Sequence, residues 1–362
     1  MTRIGRALAL GALAIAGGGC VAPYYWQAIG GQLELLRRRA PIEEVIGSPA
    51  LDPKLKTTLE RVAMIRRFAV EDLLLPDNES YTTYVELDRT YVVWNVVATD
   101  EFSVEPRRWC FPFAGCVAYR GYFDRIDAER FAATLAARGL DTHSGGSTAY
   151  STLGYFNDPL LSTMVHGGEH YVAALLFHEL AHQKLYVKND SEFSESFAMV
   201  VEELGMERWL AAHGTTADLD RYHARRERRA QFGELIARQQ ARLRALYASG
   251  QPPETLRSEK RLAFEALRSE YEVLKAAWGG SPDYDAWFAQ PLNNAALASV
   301  ATYTKWVPAL RARVREVGLA AFYADVAALA KLNVDERAAR LKTWEARSRF
   351  TSAAGRSTSA SG

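Results

Sequence analysis

The sequence predicts an α+β protein, predominantly helical, with a small sheet beside a central pair of helices and a helical C-terminal half. Three observations carry that prediction. Segments rich in Thr, Tyr, Val and Trp cluster between residues 81 and 99, with a further one near 147–153, a composition that suits a half-buried pleated surface. The run from Val172 to Ala181 is mostly apolar and free of Gly and Pro, as a buried helix requires. Beyond residue 190 apolar side chains recur at helical spacing, as in Phe232, Leu235, Ile236, Leu243 and Leu246.

Taken in order, the chain begins with Arg3 and Arg6 followed by an apolar stretch from Ala7 to Ala16. A charged start, a short apolar core and small residues after it make a secretory signal, too short to span a bilayer. Gly17-Gly18-Gly19-Cys20 reads as a lipoprotein processing site, so residues 1–19 are expected to be removed and Cys20 to become the lipidated first residue. Cleavage after Ala16 is the rival reading. Val21, rather than Asp, follows Cys20, which points to the outer membrane, facing the periplasm.

A helix is predicted over 51–75, ended by Pro76, then strands over 81–88 and 90–99 joined at Asp88-Arg89. Cys110 and Cys116, the two cysteines left if Cys20 carries lipid, are expected to close a small disulfide loop in an oxidising compartment. A helix over 124–138 ends at Gly139, and another strand covers about 147–153. Gly145 to Tyr150 reads either as a glycine turn or as an edge strand able to hold an extended peptide. After the central pair, helices cover roughly 254–278, 292–317 and 319–346, with a break at Gly250-Gln251-Pro252-Pro253. The domain thus spans 20–350, and the Thr, Ser, Ala and Gly of 351–362 read as a disordered tail.

Of 362 residues, 48% are hydrophobic and 24% charged, with a net charge of +1. That is a folded chain with a sizeable core and no electrostatic reason to bind nucleic acid. The cluster Arg221, Arg225, Arg226, Arg228 and Arg229 reads as a solvated helix face balanced by nearby acids, or as a contact for anionic headgroups.

The most informative segment is His178-Glu179-Leu180-Ala181-His182. Residues four apart share a helix face, so both imidazoles can meet one Zn²⁺ while Glu179 projects beside it to deprotonate a bound water. The plainer reading is a core helix with satisfied histidines and no metal. Catalytic zinc needs a third protein ligand. Leu185 and Lys188 occupy the positions where H-E-x-x-H-x-x-G-x-x-H would require Gly and His, which excludes that arrangement. A polar break at 188–191 can cap a second helix over about 191–212, stopping near Gly214. A hairpin of the two helices returns Glu195 to the histidines, making it the first choice for the third ligand. Glu192, a turn earlier, is the second.

The H-E-x-x-H motif followed by Glu195, Phe197, Ala198 and then Glu202 resembles the gluzincin clan of zinc peptidases, which includes thermolysin and the aminopeptidase N-like enzymes. Twelve residues separate His182 from Glu195, fewer than in those enzymes, and Met199 stands where thermolysin-type enzymes carry an acid. Further segments include Tyr24-Tyr25-Trp26-Gln27, Cys110-Phe111-Pro112, Tyr119-Arg120-Gly121-Tyr122-Phe123 and Tyr150-Ser151-Thr152-Leu153-Gly154. Asn157-Asp158-Pro159, Asn293-Asn294-Ala295 and Trp306-Val307-Pro308 complete the set. Together they resemble a bacterial "putative aminopeptidase" family, often of predicted lipoproteins.

The resemblance implies a zincin-like, gluzincin active-site helix pair, a zinc cofactor and a peptide substrate. It implies Glu202 as a carboxylate behind a ligand histidine and Glu169 as holder of the substrate α-amine. It also implies a Tyr or His opposite the oxyanion, for which Tyr303 is the first choice and Tyr155 and His166 are alternatives. The expectation is therefore a zinc aminopeptidase of the bacterial envelope, with an endopeptidase or a non-catalytic zinc-binding scaffold as alternatives.

Overall fold

The computed structural model describes residues 22–111, 115–301 and 305–358; the signal segment, Cys20 and Tyr303 lie outside them. It opens with helix α1 (Ala22–Arg38), for which the sequence reading predicts no element. Strand β1 (Ala40–Pro41) and the short helix α2 (Ile42–Ile46) lead to α3 (Pro53–Glu71). The latter starts where expected because Pro53 fits a first helical position and Asp52 accepts the Leu55 amide at 3.0 Å.

Two small three-stranded sheets follow. In one, β2 (Thr83–Val85) lies between β1 and β8 (Leu160–Leu161). In the other, β3 (Val93–Asp100) lies between β6 (Arg120–Tyr122) and β7 (Leu140–Ser147), antiparallel to both. The predicted strands over 81–88 and 90–99 therefore do not pair with each other. Leu87 and Val92 are both buried while Asp88 and Thr90 between them are exposed, so the connection runs over the surface from one sheet to the other instead of closing a hairpin. The third strand runs over 140–147 rather than 147–153. Its Gly145 and Gly146 are strand residues, and Gly146 lets the Tyr91 ring lie where a Cβ would be 2.3 Å from it.

Strands β4 (Trp109–Phe111) and β5 (Gly115–Val117) form a hairpin that pairs Cys110 with Cys116, and these cysteines are joined by a disulfide. Helix α4 (Arg125–Ala136) covers the β6-β3-β7 sheet, capped by Asp124.

The rest is helical: α5 (Ser162–Val165), α6 (Glu169–Lys184), α7 (Ser191–His213), α8 (Thr216–Tyr247), α9 (Pro253–Ala277), α10 (Asp285–Phe288), α11 (Asn294–Ala301), α12 (Val307–Val317), α13 (Leu319–Ala330) and α14 (Val334–Thr358). The predicted helix over 319–346 is two helices. Asn333 breaks it by accepting the amides of Asp335 and Glu336 at 3.1 and 3.0 Å, a new N-terminal cap. Helix continues to Thr358, against the expected tail from 351; a Pro-free segment can be propagated from turns already formed.

Helices α6 and α7 lie in the main core. Helix α6 buries Val172, Ala173, Leu176, Phe177, Leu180 and Ala181 together with α3, α7 and α12–α14. Its Phe177 ring is 5.9 Å from Phe68 of α3. Arg311 of α12 donates to both oxygens of Glu203 on α7 at 2.8 and 2.9 Å, tying the C-terminal helices to the pair. A second core joins α8, α9 and α10.

Candidate metal centre

The two central helices form a hairpin whose connection is held by side chains. Asp190 caps α7 by accepting the Phe193 amide at 3.1 Å and pairs with Arg337 of α14. The Ser194 hydroxyl accepts the Val187 amide at 3.0 Å. Asn189 sits in the left-handed region at φ 66°, as Asn tolerates, and its side-chain oxygen accepts the Cys116 amide at 2.9 Å. The disulfide hairpin thus grips the loop between the helices.

This hairpin brings His178, His182 and Glu195 together. Glu195 Oε2 lies 3.3 Å from His178 Nε2 and 3.4 Å from His182 Nε2, and one donor atom from each residue falls within 4.8 Å of the others. Donors about 2.0–2.2 Å from a shared ion at tetrahedral angles stand about 3.3–3.6 Å apart. The two Glu195 distances fall in that range, and two imidazole nitrogens with a carboxylate oxygen are a donor set that suits Zn²⁺. Among the described residues no other such group converges.

Behind the centre, the His178 Nδ1–H group donates to Glu202 Oε2 at 3.0 Å, an assignment that leaves Nε2 facing Glu195. Arg229 of α8 donates to the other Glu202 oxygen at 3.3 Å. Burial pushes Glu202 up, but the bonds from His178 and Arg229 outweigh it and hold the carboxyl below its usual range. Glu195 behaves alike: burial opposes its charge, and the two imidazoles overcome that and lower it strongly. His178 feels burial in the opposite sense, yet Glu195 and Glu202 push it up to about 10 in the metal-free protein. Each pair of opposite charges stabilises its partner's ionised form.

Glu179 lies beside the pair on α6 and makes no hydrogen bond or ion pair among the described residues. Burial raises its pKa, opposed by His178 and His182. Three tyrosines surround this space. Tyr119 is 39% exposed, and desolvation together with the charges of Glu195, Tyr186 and Glu179 holds its pKa high. Tyr186 follows His182 by four residues, its ring centroid 6.0 Å from that imidazole. Tyr81 is fully buried against the Glu179 side, its hydroxyl without a well-formed hydrogen bond and its backbone at φ 62°. Of these, only Tyr186 was within reach of spacing arguments, being one helical turn past His182.

Other predicted residues go elsewhere. Glu192 pairs with Lys305 at 2.8 Å on the surface. Glu169 takes two bonds from Arg61, at 3.1 and 2.9 Å. Nine residues before His178 on one helix, it is about 13 Å away along the axis, too far for an amine adjoining a carbonyl at the metal. His166 is exposed at the end of α5 and is not among the residues that converge at the centre. Tyr155 is exposed on a loop whose Gly154 abuts Gln183. Strand β7 is an edge strand, as one reading expected, but Asn293 already donates to its Thr142 carbonyl at 2.9 Å. Four of the five clustered arginines are ion-paired, Arg221 with Asp218, Arg226 with Glu207, Arg228 with Asp283 and Arg229 with Glu202, which is the balanced-face reading.

Comparison with known proteins agrees with this picture at the level of family. No curated protein and no solved structure matches the chain. A family model described as "Putative aminopeptidase" matches residues 23–341, most of the sequence. The chain belongs to that family.

Proposed function

We propose that this protein is a zinc-dependent peptidase in which Glu179 activates a water for attack on a peptide carbonyl. The observation that carries the reading is the convergence of His178, His182 and Glu195 at 3.3 and 3.4 Å beside Glu179. Zn²⁺ held there would acidify a water and polarise a carbonyl. Glu179 takes the proton of the attacking water and passes it to the leaving amine. Its burial raises its pKa, as suits a group that must take up a proton. Glu202 and Arg229 keep the His178 ring oriented. Tyr119, protonated and within reach of the charges of Glu195 and Glu179, is the candidate donor to the oxyanion.

Aminopeptidase action is the preferred subclass because the family carries that name. One observation favours an endopeptidase as the second reading. Asp158, the carboxylate besides Glu195 whose charge reaches Glu179, is buried and accepts from Ser151 and Thr152 at 3.1, 2.9 and 2.6 Å, so it is engaged internally instead of awaiting an α-amine. Envelope location, through a lipid on Cys20, is part of the proposal; the Cys110–Cys116 disulfide supports an oxidising compartment.

The test is Glu179→Gln, assayed on aminoacyl-arylamides and on N-blocked peptides with metal content measured in parallel. Zinc retained at one per chain with hydrolysis abolished supports the enzyme. Unchanged hydrolysis, or wild-type protein inert on both substrates, defeats it. Cleavage of blocked peptides alone selects the endopeptidase.

A further inference from the structure

Helix α1 buries Leu35 in the main core and carries a second apolar stripe outward. Its inner face is fixed to the β6-β3-β7 sheet: the Gln27 side chain donates to the Gly121 carbonyl at 3.3 Å and accepts the Phe123 amide at 3.0 Å. Tyr24 stacks edge-on with Tyr122, its centroid 5.5 Å away, beneath the Arg120 guanidinium. Gly31 packs so closely that a Cβ would meet the Phe123 ring at 2.1 Å. With that side anchored, Trp26, Ile29 and Leu33 face solvent at 71%, 51% and 41% exposure. Positions i, i+3 and i+7 form one stripe along about two turns. No acid lies on it. Arg37, which continues the same face, and the adjoining Arg39 are exposed and make no ion pair among the described residues.

We infer that this face lies in the interface of an anionic bilayer, with Trp26, Ile29 and Leu33 among the acyl chains and Arg37 and Arg39 at the headgroups. Trp at the acyl boundary and arginine beside it is the composition of an in-plane amphipathic helix. Among the described residues no helix is long and apolar enough to cross a membrane, so contact would be along the surface. The stripe exposes on the order of 300–400 Å² of apolar area, against about 800 Å² per partner in a stable dimer, which argues against a second copy. Position in the chain argues for lipid. Cys20, the expected acylation site, precedes the helix by two residues, a reach of about 7 Å, so a lipid there would hold the stripe at the bilayer.

The test uses the full chain, processed in bacterial envelopes, with a benzophenone amino acid placed singly at positions 26, 29 or 33. Val273 on α9, 73% exposed, is the control. Illumination is expected to give lipid adducts at the three stripe positions, several-fold above position 273. Protein reconstituted into phosphatidylethanolamine and phosphatidylglycerol vesicles should lose tryptophan emission to brominated lipid, and Trp26→Ala should abolish that loss while leaving the thermal melting temperature unchanged. Adducts joining two chains, adducts to the chain's own first 21 residues, or folded protein with no lipid adduct above the control would each overturn the inference.

Discussion

His178 is gripped from both ring nitrogens: Glu202 accepts from Nδ1 at 3.0 Å, while Glu195 stands 3.3 Å from Nε2. Both acids come from α7, seven residues and so two turns apart, and thus share the face turned toward α6. One helix therefore supplies a candidate metal donor and the carboxylate that orients the imidazole of another.

Glu202→Gln is expected to weaken zinc binding about 10- to 100-fold while leaving the fold intact. The amide keeps the shape but not the charge that fixes the imidazole tautomer. Competition titration against a chelator measures it. An affinity equal to wild type would mean that Glu202 serves packing alone.

Tyr119→Phe should retain zinc and lower kcat with little change in KM, by roughly 100- to 1000-fold if its hydroxyl faces the oxyanion. A rise in KM at constant kcat would instead make it a binding residue.

Zinc uptake should release protons. In the metal-free protein His178, held up to about 10 by its two carboxylates after burial is overcome, is protonated near neutral pH. Its nitrogen must lose that proton to bind metal. Glu195 is already ionised and releases none. Calorimetry in buffers of differing ionisation enthalpy at about pH 6, below the range in which a zinc-bound water ionises, should report about one proton per zinc from His178, with affinity rising as pH rises. Proton-neutral binding would show that His178 is neutral before the metal arrives.

Reducing the Cys110–Cys116 bridge should destabilise the protein by about 2 kcal/mol, the loop-entropy value for so short a ring. Because Cys116 N–H and Asn189 Oδ1 bond at 2.9 Å, the loosened hairpin should also speed zinc loss. Asn189→Ala should reproduce the faster zinc loss with the disulfide intact, and wild-type dissociation rates in both cases would disconnect the hairpin from the centre.

Phe177→Ala should cost about 3–5 kcal/mol. The ring is fully buried between α3 and α7, next to His178 in sequence. Denaturant unfolding with the chelator present isolates the packing effect from metal linkage; a loss under 1 kcal/mol, well below the usual range, would show that the site collapses around the void.

Much of the centre was legible in the chain because its parts are local. His178, Glu179 and His182 obey one helical period, and Glu195 and Glu202 another; only the hairpin between them had to be assumed, and Asp190 with its capping bond made that reasonable. The helices past residue 190 follow their apolar stripes, but spacing hid two breaks, the one at Asn333 and the one that divides the segment expected over 292–317 into Asn294–Ala301 and Val307–Val317. Tyr119 and Tyr81 were different. They lie about 60 and 100 residues before the motif; the segment around Tyr119 carried part of the family resemblance, but no local spacing tied either tyrosine to the histidines. Glu169 shows the converse: near in sequence to the motif, it is separated from His178 by over two turns of helix and is bonded to Arg61, 108 residues away.

The sequence by itself determined which donors exist, their order and their helical phase, because backbone geometry sets side-chain spacing over a few turns. Only the tertiary structure decided which sheet each strand joined, which tyrosines border the centre, and that an apolar stripe of α1 faces outward. Those outcomes depend on long-range packing, where a buried Leu87 or a close Gly31–Phe123 contact overrides what any short window of residues can express.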